Sequence, residues 1–169
     1  MANSTIVMTL KNNIINDLCD DPDIDYLIDS SIYHGKDLKG KHIFNYNKNP
    51  ETIKETITFL TVMADISLLD RNGTFIVPYV SIYIYSHNRH MELPPEFLND
   101  DEFFNRNDYL AHMIDEKING NTTYGGYGEL RLMENREFIA TKDFNGRVLK
   151  FKTVDINNSL CDNRWWFYV

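Results

Sequence analysis

The sequence predicts an α+β fold, a mostly antiparallel sheet with an N-terminal helix and a middle helix packed on one face. Apolar residues recur at helical spacing near the N-terminus and again around residue 110, and several segments between and after them alternate at period two. The resulting order is helix, several strands, helix, two strands. With 169 residues, 43% of them hydrophobic, and no repeat or linker, residues 1–169 are predicted to form a single domain.

The first predicted helix runs from about Ser4 to Cys19, with Ser4 or Asn3 as its N-cap. Pro22 ends it, because proline disfavours helical geometry at the residue before it. A short second helix is possible from Asp25 to Tyr33, and a polar loop then leads into a predicted strand, His42 to Asn47.

A long β-hairpin is predicted next. The β-branched residues that follow Thr56 favour a strand to about Ile66, and Asn72-Gly73 is a strong turn signal between two apolar strands. The second arm, TFIVPYVSIYIYSHNRH, alternates cleanly between two faces. One face is aliphatic (Ile76, Pro78, Val80, Ile82 and Ile84) and the other is mostly tyrosine (Val77, Tyr79, Ser81, Tyr83 and Tyr85).

The two faces of this arm predict different partners. The aliphatic face is expected to lie under the helices, whereas the tyrosine face fits either a protein interface or a second small layer of the same chain. Pro78 cannot donate to a β-ladder, so it predicts an edge or a bulge at which another subunit could add. Pro78, Tyr79, Tyr83 and Tyr85 are therefore candidate interface residues.

Residues 91–107 are predicted to be an interface loop, because this acidic, proline-containing segment is too long for a simple connection. Its candidate contact residues are Glu96, Asp100, Asp101 and Phe103. An amphipathic helix follows. We expect Asn105 or Asn107 to cap it, Gly120 to close it, and an apolar stripe to bury its inner side: Leu110, Met113, Ile114 and Ile118.

Two more strands and an apolar tail complete the chain. GELRLMENREF and GRVLKFKTVDIN alternate at period two and predict a final strand pair. The tail, residues 160–169, ends in WWFYV and is too apolar to remain in water. Trp165 and Trp166 are therefore candidate interface residues, docked on their own domain or on a neighbour.

The formal charge of −8 and the pI near 5.0 do not suit a protein that grips nucleic acid phosphates. They suit a soluble protein or one whose surface repels a polyanion. Cys19 and Cys161 form no C-x-x-C pair, which favours two free thiols over a zinc site or a disulfide framework. The N-terminal segment lacks the features of a signal peptide and no stretch could span a membrane, so the protein is expected to be assembled in the cytosol.

Little in the sequence points to chemistry. His87 and His90 form an H-x-x-H, but alternation directs them to opposite faces, which favours solvated histidines at the end of a strand over metal ligands. The nucleotide-binding and hydrolase glycine motifs are missing. An acid-cluster metal nuclease remains an alternative, with Lys150 or Lys152 as its catalytic lysine. No catalytic residue, metal ligand or cofactor is predicted.

Several stretches together resemble the small neck and tail-completion proteins of long-tailed bacteriophages, especially the tail-terminator type. They are KGKHIFNYNKNPETIKETITFLTVMADI, the hairpin arm described above, RNDYLAHMIDEKINGN and YGELRLMENREF. Within them, a strand of the form I-x-I-x-x-H precedes a helix of the form R-x-D-x-L-x-x-x-I-D. The matching residues are Ile82, Ile84 and His87 on the strand and Arg106, Asp108, Leu110, Ile114 and Asp115 on the helix.

This resemblance implies a non-enzymatic virion protein at the head–tail junction. Proteins of this type form a ring, usually a hexamer, that caps the tail tube and meets the head connector. The implied partners are further copies of the chain, the tail-tube protein and the head-closure or connector protein, with no membrane. Genome DNA would pass through the ring without specific binding, and an acidic ring suits that passage.

Three alternatives remain open from the sequence. The first is the head-closure (stopper) protein of the same neck. The second, from another class, is a small metal-dependent nuclease or hydrolase. The third is a binding module that acts alone in the cytosol.

Overall fold

The computed structural model describes residues 3–29, 31–68, 75–98, 105–124, 128–153 and 155–156. In these ranges the helices are α1 (Asn3–Cys19), α2 (Pro22–Ile28) and α3 (Arg106–Ile118). The strands are β1 (Ile43–Phe44), β2 (Thr58–Leu68), β3 (Phe75–His87), β4 (Arg131–Ile139), β5 (Phe144–Lys152) and β6 (Asp155–Ile156).

The six strands form one sheet in the order β1-β2-β3-β5-β4, and β6 pairs with β3 beyond the end of β5. Every pairing is antiparallel except the short parallel contact of β1 with β2. The predicted α+β class with a mostly antiparallel sheet is therefore confirmed.

The main core lies between the helices and one face of this sheet, which we call the inner face. The predicted aliphatic face of β3 belongs to it, with Val80, Ile82 and Ile84 completely buried. The helices contribute further buried residues: Leu10, Ile14 and Leu18 from α1, Ile24, Leu27 and Ile28 from α2, and Leu110, Ile114 and Ile118 from α3. The helical spacing of these residues is what places them on one side, as predicted.

The helix ends follow from their caps. The Asp21 carboxylate accepts hydrogen bonds from the backbone N–H groups of Asp23 and Ile24, so α2 begins at Pro22. The predicted second helix, Asp25 to Tyr33, was therefore placed too late. Asn105 caps α3, as predicted. Because α3 begins at Arg106, the loop predicted for residues 91–107 ends at Asn105, two residues earlier than expected.

The hairpin prediction is confirmed by the pairing of β2 with β3, from Thr58 opposite Ser86 to Leu68 opposite Ile76. The Asn72-Gly73 turn lies outside the described residues. The strand predicted at 42–47 shrinks to Ile43 and Phe44, which are buried on opposite faces of the sheet.

The prediction that Pro78 marks an edge is wrong, because β3 is a central strand with β2 on one side and β5 and β6 on the other. The Pro78 carbonyl accepts a hydrogen bond from the Thr153 N–H, so the proline nitrogen also faces the β5 side. β5 ends at Lys152 and β6 begins at Asp155. The N–H group that Pro78 lacks would therefore point at the break between β5 and β6, where no ladder hydrogen bond is lost.

Candidate interaction surface

The sheet face opposite the helices, which we call the outer face, begins with a buried aromatic cluster. The cluster consists of Phe44, Phe59, Tyr85 and Phe144. The ring of Phe59 stacks on Tyr85 at a centroid distance of 4.8 Å and meets Phe144 edge-on at 5.8 Å. Contacts of this kind add to the free energy gained from burial alone.

The tyrosines predicted to share one face of β3 differ in exposure, depending on their distance from this cluster. Tyr85 is only 6% exposed because it belongs to the cluster, and Tyr83 is half-buried against the ring of Phe138. Tyr79, farther along the strand, is 37% exposed. A second small layer of the same chain therefore covers one end of the face, and the other end presents tyrosine to solvent.

Beside Tyr79 and Tyr83 the outer face carries paired charges. Glu134 on β4 binds the Lys150 ammonium at 2.6 Å and the Arg136 guanidinium at 2.9 Å. These two hydrogen bonds, that of Lys150 first, lower the pKa of Glu134. Lys150, a candidate catalytic lysine from the sequence, is thus part of a surface ion-pair network.

The structure places the other predicted interface residues as follows. Pro78 is buried on the inner face and has little surface to offer a partner. Glu96 is exposed on a short 3-10 turn, where a hydrogen bond from Tyr26 raises the pKa of that tyrosine. Asp100, Asp101, Phe103, Trp165 and Trp166 lie outside the described residues.

The outermost strand is β4, and no described strand pairs with its free side. Free edges invite pairing with another chain, and proteins commonly protect them with bulges and charges. β4 has a bulge between Leu132 and Glu134. The Leu132 N–H is also occupied, because it donates to the Asn119 side chain at 3.1 Å. The first half of the edge is therefore closed, and the half from Asn135 to Ile139 is open.

The two histidines of the H-x-x-H differ in their surroundings. His87 packs its ring edge-on against Phe144 at 5.2 Å, and its Nδ1 accepts from the Arg89 N–H. His90 lies on the 3-10 turn after β3, with its side chain only 16% exposed. The prediction of solvated histidines is therefore wrong for His90, because a turn rather than a continuing strand carries it into the protein.

His90 joins three segments through hydrogen bonds. Its Nδ1 is 2.9 Å from the Thr58 hydroxyl, which in turn is 2.8 Å from the Ser86 hydroxyl. Its Nε2 is 3.1 Å from an Asp29 carboxylate oxygen. A hydroxyl, an imidazole and a carboxylate in this order resemble a nucleophilic triad. Thr58 and Ser86 are completely buried, however, so no substrate can reach either hydroxyl, and the chain of contacts positions loops.

Arg106, at the start of α3, is the centre of this region and is 4% exposed. Its guanidinium donates to the backbone carbonyls of Leu27 at 2.5 Å, His90 at 2.8 Å and Glu92 at 3.0 Å. Asp29 lies 3.9 Å from the same group. One side chain thus joins the end of α2, the turn after β3 and the start of α3.

This environment predicts a pH dependence. Burial lowers the pKa of His90, and the nearby Arg106 charge acts in the same direction against the hydrogen bond to Asp29. The unfolded chain then binds more protons than the folded chain below the ordinary histidine pKa, about 6.5. The free energy of unfolding should therefore fall as the pH drops from 7.5 to 5.5, measured by urea denaturation.

His90→Gln should flatten this dependence, whereas substitution of the exposed His112 by Gln should leave it intact. An equal slope in the wild-type protein and His90→Gln would contradict the assignment.

The remaining candidates for chemistry are weak. Among the described residues, no three His, Cys, Asp or Glu side chains are grouped so that they could hold a metal ion. Burial raises the pKa of the Cys19 thiol to about 11, which makes it a poor nucleophile. No helix in the described part of the chain is long and apolar enough to cross a membrane.

Sequence reasoning missed the role of Arg106, although the residue was quoted in the helix pattern. The structure explains that pattern by packing and hydrogen bonding. Asp108 completes a capping box with Asn105 and binds Arg147 of β5, while Leu110 and Ile114 lie in the core. A basic residue beside an N-cap was the available signal, but its three carbonyl partners come from distant segments.

Comparison with protein-family models identifies a family that covers most of the described chain. The family model described as YomW matches residues 3–153, which cover all the helices and β1 to β5. A search of the curated proteins found no match.

Proposed function

Since the chain belongs to the YomW family, a phage-derived family, and is therefore a phage-associated protein, we propose that it is a structural component of a long-tailed phage particle. In this proposal it forms a ring at the head–tail junction, caps the tail tube and joins it to the head connector. It acts without catalysis, and it is assembled in the host cytoplasm and remains in the virion neck.

The observation that carries this proposal is the outer face of the sheet. No described helix packs on it, yet it presents Tyr79, the ion pairs of Glu134 and the half-open edge of β4. Aromatic side chains are enriched at the centres of protein–protein contacts, and polar or charged groups surround them at the rim. A ring subunit needs such surfaces on two sides, one for each neighbour.

Charge supports the passage of DNA through such a ring. The net charge is −8, with 25 acidic against 17 basic residues. On the described outer face, Glu134 binds Lys150 and Arg136 and offsets part of the positive charge there, which also includes Lys152 opposite Tyr79. A lumen built from this chain would attract DNA weakly and let it slide.

The contacts of Lys150 and the buried hydroxyls of Thr58 and Ser86 favour a structural protein over a hydrolase. The choice between tail terminator and head-closure protein depends on the partner. We expect the chain to bind the tail-tube protein, and binding to the connector alone would favour the head-closure assignment.

The mass of the purified chain in solution tests the ring. We expect a particle several times the 19.9 kDa chain mass, and Tyr79→Asp should lower that mass without unfolding the chain. Met8→Asp is the matched control, because Met8 is an exposed apolar residue on α1, on the other side of the sheet. A strictly monomeric chain at high concentration would overturn the proposal.

A further inference from the structure

A groove of about 410 Å³ borders the open half of the β4 edge. It lies at the end of the sheet where β3 ends and β5 begins. Glu137, Ile139 and the backbone of Gly146 form one side, and the start of α3 forms the other. The residues on the α3 side are Met91, Asn105 and Asn107.

The groove has both apolar and polar groups without a partner in the described part of the chain. Ile139 is 81% exposed, an unusual position for isoleucine on a strand. Asn107 is only 2% exposed, and its Oδ1 has no hydrogen-bond partner among the described residues. This oxygen is itself covered, so the exposed Ile139 side chain is the group that an incoming segment would contact.

The backbone beside the groove is also available. The Ala140 N–H donates to the Phe144 carbonyl, and antiparallel ladders alternate, so the even-numbered residues of β4 after its bulge face β5. The N–H and C=O groups of Asn135, Glu137 and Ile139 therefore point away from the sheet. An extended segment added there would gain a ladder and could place alternate side chains in the groove.

We propose that the C-terminal segment, residues 157–169, of a second copy of this chain binds this edge as an extended strand. Its sequence, NNSLCDNRWWFYV, ends in residues with high strand propensity and carries one basic side chain, Arg164. Alternation from Trp165 would direct every second aromatic side chain towards Ile139 and Met91. Glu137 lines the groove and pairs with Arg147 of its own chain at 2.9 Å, so Arg164 would join an existing ion pair.

Reach favours a neighbouring copy over the same chain. β6 pairs with β3 at Phe75 and Ile76, whereas the groove lies beside Asn145, which is opposite Ser86. Ten residues of strand separate these points, about 33 Å, and two further strands add about 10 Å across the sheet. From Ile156 to Arg164 an extended chain spans at most about 29 Å. Arg164 and Trp165 of the same chain therefore fall short of the groove.

Such a contact joins the tail of one copy to the edge of the next, a head-to-tail arrangement that can close into a ring. The inference rests on the proposed function, because the bound segment would be the contact between neighbouring subunits of the proposed ring. It is testable apart from any phage, because both partners are parts of this chain.

The test uses the full chain and measures self-association by analytical ultracentrifugation. Ile139→Asp should weaken self-association by about tenfold or more, which is the usual effect of losing a buried contact residue. Trp165→Ala should do the same, and Met8→Asp should have no effect. A synthetic peptide of residues 157–169, with serine in place of Cys161, should lower the mass of the wild-type chain and bind Ile139→Asp at least tenfold more weakly.

Equal peptide binding by the wild-type chain and Ile139→Asp would overturn the inference. So would a wild-type chain that is monomeric at every concentration. An oligomer that depends on Ile139 and Trp165, in a protein that never enters phage particles, would support this inference and overturn only the proposed function.

Discussion

Replacing Arg106 with methionine should lower the free energy of unfolding by about 3–5 kcal/mol. Methionine fills part of the volume but donates no hydrogen bond, so the carbonyls of Leu27, His90 and Glu92 lose their shared donor. Buried carbonyls without a donor are costly, and three of them meet at this one side chain. Urea denaturation monitored by far-UV circular dichroism would measure the loss.

Arg106→Lys is the matched variant. Lysine keeps the positive charge near Asp29, but its single ammonium cannot span three carbonyls in the plane of a guanidinium. We expect an intermediate loss. Equal stability of the wild-type protein, Arg106→Met and Arg106→Lys would contradict this role of Arg106, in which it holds together α2, the turn after β3 and α3.

Phe59→Ala should be similarly damaging, with a loss of about 3–5 kcal/mol. Phe59 is completely buried and contacts three other rings, those of Phe44, Tyr85 and Phe144. Removal of its ring would leave a cavity at the centre of the aromatic cluster. Thermal and urea unfolding of the purified variant would measure the effect.

Tyr79→Ala on the same face of the sheet provides the contrast, because Tyr79 is exposed and outside the cluster. Its stability should change by no more than about 0.5 kcal/mol, as is usual for surface positions. If Phe59→Ala were equally mild, the aromatic cluster would not be a second core, and the whole tyrosine face would have to be explained by a partner.

The elements that depend on local pattern could be predicted from the sequence. The hairpin of β2 and β3 follows from β-branched residues, and the alternation along β3 separates its two faces correctly. The apolar stripe of α3 is likewise visible in Leu110, Ile114 and Ile118. Each of these features is set by residues close together in the chain.

The features that depend on distant residues could not be predicted. Pro78 looked like an edge residue because the break between β5 and β6 lies more than 70 residues away, at Thr153. The burial of Tyr85 on the tyrosine face is due to Phe44, Phe59 and Phe144, which come from three other segments. Arg106 shows the same limit, since nothing near it in sequence indicates three carbonyl partners.

For function, the sequence pattern and the structure contribute different parts. The quoted helix pattern turns out to consist of residues that fold the protein, with Arg106 and Asp108 as anchors of α3. The surfaces available to partners lie elsewhere, at Tyr79 and along the open half of β4. A mutational study of partner binding should therefore begin with these exposed positions.

The most direct test of the proposed role is a phage in which the coding sequence for this chain is interrupted. Such a phage should make heads and tails that fail to join, seen by electron microscopy of lysates. Supplying the wild-type chain should restore complete particles that contain it, detected by mass spectrometry of purified virions. Complete, infectious particles assembled without the chain would contradict a structural role at the head–tail junction.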